Sequence, residues 1–223
     1  PHLQKALQEM IRNRLTAVQR MEVAEDRIGN RDILESVLTA DVEKIRMTMD
    51  ELDRSAFEKS ASCITKAKRI YILGVRSSSA LASFMGFYFT LLFGNVYVLD
   101  TNSGSEILEQ ILHIGEGDVF IGISFPRYSQ RTLAAMKYSK AHGANVIALT
   151  DSSLSPLANY ADHTLIAKSD MASFVDSLVA PLSVINAIIV QVSMDRQEEE
   201  KKTFNQLESI WNEYNVYETM DES

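Results

Sequence analysis

The sequence predicts an α/β fold, in which a five-stranded parallel sheet is covered on both faces by helices and preceded by further helices. Five short, β-rich apolar runs occur at Ile70–Leu73, Val96–Leu99, Val119–Ile123, Asn145–Leu149 and His163–Ile166. Helical segments at about 78–92, 104–113, 129–142 and 154–160 separate them, at lengths that suit βαβ crossovers. The runs are nearly all apolar rather than alternating, the pattern of strands buried on both faces.

The elements follow in order. Leu3, Leu7, Met10, Ile11, Leu15, Val18, Met21 and Ile28 recur at helical spacing, which predicts one amphipathic helix over 3–28 that stops at Gly29-Asn30. Such a helix either packs on its own domain or pairs with a second copy. Its first residues carry no capping signal, so the chain is expected to begin partway through a longer protein. Two more helices are expected over Asn30–Asp53 and Arg54–Ala67. Leu34, Val37, Leu38, Val42, Ile45, Met49 and Leu52 line one face of the first. After the last strand a long helix is expected from Ser173 to Lys202, ending in a solvated charge run, and then a short amphipathic stretch around Phe204, Leu207, Ile210 and Trp211. The expected division is 1–29 as a linker helix, 30–202 as the sheet domain and 203–223 as a C-terminal helix and tail.

An apolar content of 46% over 223 residues supports a real core, in one α/β domain plus an appendage or at most two small domains. The formal charge of −8 is uneven: Asp195–Ser223 holds nine acids against three bases, whereas Pro1–Arg20 holds Lys5, Arg12, Arg14 and Arg20 against Glu9. No basic face of the kind that reads nucleic acid stands out beyond those first turns. A single cysteine, Cys63, excludes an internal disulfide framework and fits a reducing cytoplasm, with a small apolar role in a helix. The charge-free stretches Ser77–Leu99 and Ser177–Met194 are interrupted by serines, a Gly-Asn turn and Pro181, so they read as buried helices rather than lipid-facing spans.

Two of the apolar runs are followed by hydroxyl-rich turns, Ser77-Ser78-Ser79 after the first and Ser124 to Thr132 after the third. The order strand, hydroxyl loop, helix aims backbone N–H groups and hydroxyls at one point, at the positive end of a helix dipole, which suits a phosphate monoester. In a sheet of order 2-1-3-4-5 the first and third strands are neighbours, so both loops border one crevice beyond the strand ends. The simpler alternative for Ser77-Ser78-Ser79, and for Ser129, is helix N-capping. No His, Cys, Asp or Glu set has metal-ligand spacing, no Gly-rich loop with lysine is present, and no cofactor is expected.

The segments GVRSSSALA (74–82), ISFPRYSQRTLAAMKYSKAHGANVIALTDSSLSPLANYADHTLIA (123–167) and FVDSLVAPLSVINAIIV (174–190) resemble a SIS (sugar isomerase) domain. The resemblance is closer to the effector-binding half of RpiR/MurR-type transcriptional regulators, and it covers about 30–195. It implies a flavodoxin-like three-layer αβα sandwich with a five-stranded parallel sheet. It also implies a sugar-phosphate effector, a homo-oligomer (dimer or tetramer), a cytoplasmic setting, and DNA binding only through an N-terminal helix-turn-helix domain that this chain does not contain. The helix at 3–28 resembles the linker to such a domain. The ligand-binding residues carried over are Arg76, Ser77, Ser79, Ser124, Arg127, Ser129 and Thr132. Two departures stand out. The family's first turn reads Gly-x-Gly-Ser where this chain has Arg76 in place of the second glycine, and Arg127 enters the second turn. Either arginine supplies a charged fork for a further acidic group, as in a phosphorylated sugar acid, or it reaches across a dimer interface to a carboxylate.

An isomerase would need a base near the open-chain sugar, and the candidates are Glu106, Glu109, His113 and His163. His113 and His142 read more simply as helix-end residues. Binding without chemistry is the favoured expectation. A phosphosugar isomerase and an oligomerisation module without ligand are the alternatives.

Overall fold

A computed structural model of the chain describes residues 16–29, 32–101, 103–169 and 175–216. The sheet consists of β1 (Ile70–Gly74), β2 (Val96–Val98), β3 (Val119–Ile123), β4 (Asn145–Thr150) and β5 (His163–Ile166), all parallel, in the order β2-β1-β3-β4-β5. Each strand lies within a residue of the run that predicted it. Every residue of β1 and β3 is buried.

Successive strand residues face opposite sides, and this divides the core into two layers. Ile70, Ile72, Ile121 and Ile123 join α3 (Arg54–Thr65), α4 (Ser77–Leu92) and α7 (Val179–Asp195) on one face. Tyr71, Leu73, Phe120 and Val146 join α5 (Gly104–Gln110) and α6 (Gln130–Ala141) on the other. The result is a three-layer αβα sandwich. No helix among the described residues is long and apolar enough to cross a membrane.

Three expectations need correction. The helix expected to run unbroken over 3–28 has an N-terminus at Ala17: Thr16 is extended and caps α1 (Ala17–Ile28) in a capping box with Gln19. Residues 1–15, the rest of that expected helix, lie outside the described residues. The segment 154–160 forms turns rather than a helix. Here Ser152 and Ser155 side chains accept the N–H groups of Leu154 and Leu157, offering the backbone a local alternative. The long last helix begins at Val179 and breaks at Arg196, after which α8 (Gln197–Glu213) spans the expected boundary at 202.

The helix expected over Asn30–Asp53 is α2 (Ile33–Glu51). Its buried positions are Lys44 and Thr48; Val37, Ile45 and Leu52 of its apolar stripe are half-buried and the rest of the stripe is exposed. Leu34 is 68% and Met49 72% exposed, with Leu38 and Val42 also in solvent. Polar contacts help to seat the helix: the Thr48 hydroxyl accepts the Lys168 N–H at 2.9 Å, and the Ser177 hydroxyl donates to Asp41 at 2.6 Å.

Cys63 is half-buried against the core, with its Sγ 3.8 Å from His163 Nε2. Burial first, and then the Asp162 charge, push its thiol pKa up, so it is held as a thiol.

The edge strand β5 is entered through Asp162. Its carboxylate pairs with Lys140 and accepts the Val146 N–H at 2.9 Å. Burial alone would raise the Asp162 pKa, but the Lys140 and Val146 hydrogen bonds and the nearby positive charges together lower it. A depressed carboxylate adds stability above its unfolded value of about 4, and that stability is lost as pH falls through the lower folded value. Asp162→Asn should therefore flatten the loss of stability below about pH 4, measured by urea unfolding across an acid pH series.

Candidate ligand-binding site

The site lies where the strand order reverses. β1 and β3 leave the sheet side by side, and their C-terminal ends open into a cavity of about 870 Å³. The first wall follows β1. Gly74 ends the strand against the start of α4, where a Cβ would lie 2.2 Å from the Ser78 carbonyl oxygen. Only glycine allows that approach.

Arg76 comes next, at φ 60 and ψ −127. This conformation is one that glycine adopts freely and L side chains rarely do. Arg76 thus holds a backbone conformation suited to the glycine that the family resemblance leads one to expect there. The Ser79 hydroxyl donates to the Arg76 carbonyl at 2.6 Å and shapes the turn. The first turn of α4 has no side-chain cap, contrary to the simpler reading of the triple serine. The Ser77 hydroxyl instead donates to Asp176 at 3.0 Å. An uncapped 16-residue helix therefore presents its N–H groups beside the cavity, which Ser77 and Ser78 line.

The second wall follows β3. Ser124 is buried, and its Oγ accepts the Ser129 N–H at 3.0 Å, closing the loop. The Ser129 Oγ accepts the Thr132 N–H at 3.3 Å, so Ser129 caps α6 while also lining the cavity. The Tyr128 hydroxyl donates to Asp151 at 2.9 Å and anchors the outer part of the loop. Arg127 has φ 50, so this loop also holds an arginine on backbone that favours glycine.

Of the residues expected to bind ligand, Arg76, Ser77, Ser124, Arg127 and Ser129 share the cavity lining. Ser79 and Thr132 do not. Ser79 is spent on the turn, and Thr132 is fully buried beneath the loop, its methyl toward Gly122 of β3.

Sequence reasoning missed several lining groups. Arg131 stands next to two expected residues and could have been found from the loop alone. Arg20 comes from α1, 56 residues before Arg76, and Asp176 from the stretch before α7; no local pattern links either to the turns. Four arginines and one aspartate thus line the cavity of a chain with a net charge of −8. The guanidinium groups of Arg76, Arg127 and Arg131 make no ion pair or hydrogen bond with the described residues.

The candidate bases fall elsewhere. Glu106, Glu109 and His113 are exposed, and none of them, nor His163, lines the cavity. His142 caps the end of α6, with Nδ1 2.8 Å from the Tyr138 carbonyl oxygen and its ring stacked on Tyr138. No cluster of metal-ligating side chains occurs among the described residues.

The parallel 2-1-3-4-5 sheet agrees with the architecture that the resemblance to a SIS domain implies. Residues 63–191 match the SIS domain model, and the chain belongs to that family. It is 29% identical over 182 residues to an uncharacterized HTH-type transcriptional regulator of Haemophilus influenzae, covering 78% of this chain and 62% of that protein. It is also 26% identical over 168 residues to a similarly named regulator of Caldanaerobacter subterraneus, of which it covers 59%. The chain thus spans about three fifths of the length of these relatives.

Among solved structures it is similar to the sugar isomerase domain of an RpiR transcription factor from Sphaerobacter thermophilus. That comparison has a TM-score of 0.74 and 29% identity over 78% of this chain and 97% of that one. The Vibrio vulnificus NanR protein, complexed with ManNAc-6P, shares the fold at a TM-score of 0.71 and 16% identity, over 87% of this chain and 74% of that one.

The backbone at Arg76 costs about 1–3 kcal/mol relative to a residue at ease there. Arg76→Gly should raise the melting temperature of the ligand-free protein while weakening its binding of phosphate-bearing ligands, as checked by differential scanning calorimetry and titration calorimetry on the same samples.

Proposed function

We propose that this domain senses a sugar phosphate and passes its occupancy to a DNA-binding region elsewhere in a transcriptional regulator. One observation carries the reading. The two serine loops, the uncapped start of α4 and four arginines converge on a single cavity, whereas Glu106, Glu109, His113 and His163 lie outside it and the one carboxylate inside, Asp176, is engaged by Ser77 and Arg20. This favours binding and recognition of an anion over proton transfer between sugar carbons. The names of the regulators to which the chain is similar support it, as does the sugar phosphate in the NanR complex of the same fold. A homodimer fits the exposed part of the apolar stripe of α2 and the exposed Phe87, Val190 and Met194 on α4 and α7.

Three guanidinium groups without partners among the described residues exceed what a single phosphate monoester calls for. They favour an effector with a second acidic group, a phosphorylated sugar acid.

The test is thermal shift against a panel of phosphosugars and their aldonate analogues. A ligand at a hundredfold its Kd adds about 2.7 kcal/mol, or roughly 5–10 °C for a domain of this size. Ser129→Ala should abolish that shift, read against its own ligand-free melting temperature, because the lost cap alone costs about 1 kcal/mol. No selective shift anywhere in the panel would favour a ligand-free oligomerisation role, and turnover of the selected ligand, followed by NMR, would favour an isomerase. Within the panel, the aldonate should bind more tightly than the aldose, and Arg127→Ala should erase the difference. Equal affinities in both proteins would remove the sugar-acid assignment.

A further inference from the structure

The stretch that leads into α7 places an acid inside this otherwise cationic cavity. One oxygen of the Asp176 carboxylate accepts the Ser77 hydroxyl proton at 3.0 Å, and the other lies 4.0 Å from Nη1 of Arg20. All three residues line the cavity. The Asp176 side chain is 28% exposed, so a solute can reach it, whereas Arg20 is 7% exposed and held beneath.

Ser77 is the first residue of α4, whose first turn has no side-chain cap. Asp176 therefore holds a negative charge at the positive end of that helix, where an incoming phosphate is also best accommodated. Two anions within a few ångströms repel, so they cannot both keep full contact with Ser77 and Arg20.

We propose that Asp176 is a resident anion that a ligand phosphate displaces, and that this exchange transfers Arg20 of α1 from the protein's carboxylate to the ligand. This rests on the sugar-phosphate reading above and specifies its regulation. α1 precedes the segment 63–191 that matches the family model, so the pocket is completed by a helix outside the matched segment. Occupancy is then felt in two places at once, at the entry to α7 and in α1. The empty and liganded states differ in which anion Arg20 contacts, and a ligand shifts their balance by its differential contacts with the two.

Inorganic phosphate is the simplest probe, titrated calorimetrically into the full chain and into Asp176→Asn, which keeps the shape and removes the charge. The variant should bind phosphate about tenfold more tightly. Asp176→Ser should change affinity in the same direction, which guards against a folding defect peculiar to one substitution. Hydrogen exchange supplies the second readout: phosphate should alter protection across 17–28 in the wild-type chain and leave it unchanged in Arg20→Gln.

Unchanged or weaker phosphate binding in both Asp176 variants, with wild-type binding still lost in Ser77→Ala, would overturn the resident-anion role and leave the sugar-phosphate reading in place. Protection across 17–28 that ignores phosphate in the wild-type chain would overturn the transfer of Arg20. Absence of binding by phosphate in every variant, together with a silent phosphosugar panel, would instead remove the sugar-phosphate reading itself.

Discussion

The site depends on one topological constraint, the pairing of β1 with β3. Because the chain leaves β1 toward β2 on one side and returns to β3 on the other, the loops after β1 and β3 emerge next to each other with no strand between them. Each loop then delivers a helix N-terminus. Backbone N–H groups and hydroxyls from segments some 50 residues apart in sequence meet in one cavity for that reason alone. The two-layer apolar core holds this arrangement rigid, with β1 and β3 buried along their whole lengths.

The two loops use their serines differently. In the loop after β3 the hydroxyls bind the loop's own backbone: Ser124 holds Ser129, and Ser129 caps α6. In the loop after β1 the helix start is left uncapped, and the available hydroxyl of Ser77 goes to Asp176. Both walls are thus shaped by internal bonds, Ser79 to the Arg76 carbonyl in the first and Ser124 and Ser129 in the second, and the first is held in addition by the Ser77–Asp176 contact. Both loops also place an arginine on backbone suited to glycine. Strain of this kind persists only where the surroundings impose it, and here it directs cations into a cavity of an otherwise acidic chain.

Polar residues also help to seat α2. Thr48 and Asp41 bond to the segments around Lys168 and Ser177, while Leu34, Leu38, Val42 and Met49 of the apolar stripe stay exposed. An amphipathic pattern states that a helix has an apolar face; it does not state which molecule covers that face.

Much of this was legible in one dimension. Strand positions followed from runs of β-branched and apolar residues, the parallel class from their unbroken burial, and the two loops from hydroxyls placed just after them, because these are local properties of short segments. Local competition misled at 154–160, where serine side chains take backbone N–H groups, and the helix break at Arg196 carried no signal in the sequence pattern. Beyond the reach of sequence lay the entry of Arg20 and Asp176 into the cavity, the withdrawal of Ser79 and Thr132 from it, and the exposure of part of the α2 stripe. Each of these depends on which distant segment approaches a given side chain. Residue type and spacing encode what a segment can become, but its partners are set only when the whole chain closes around the sheet.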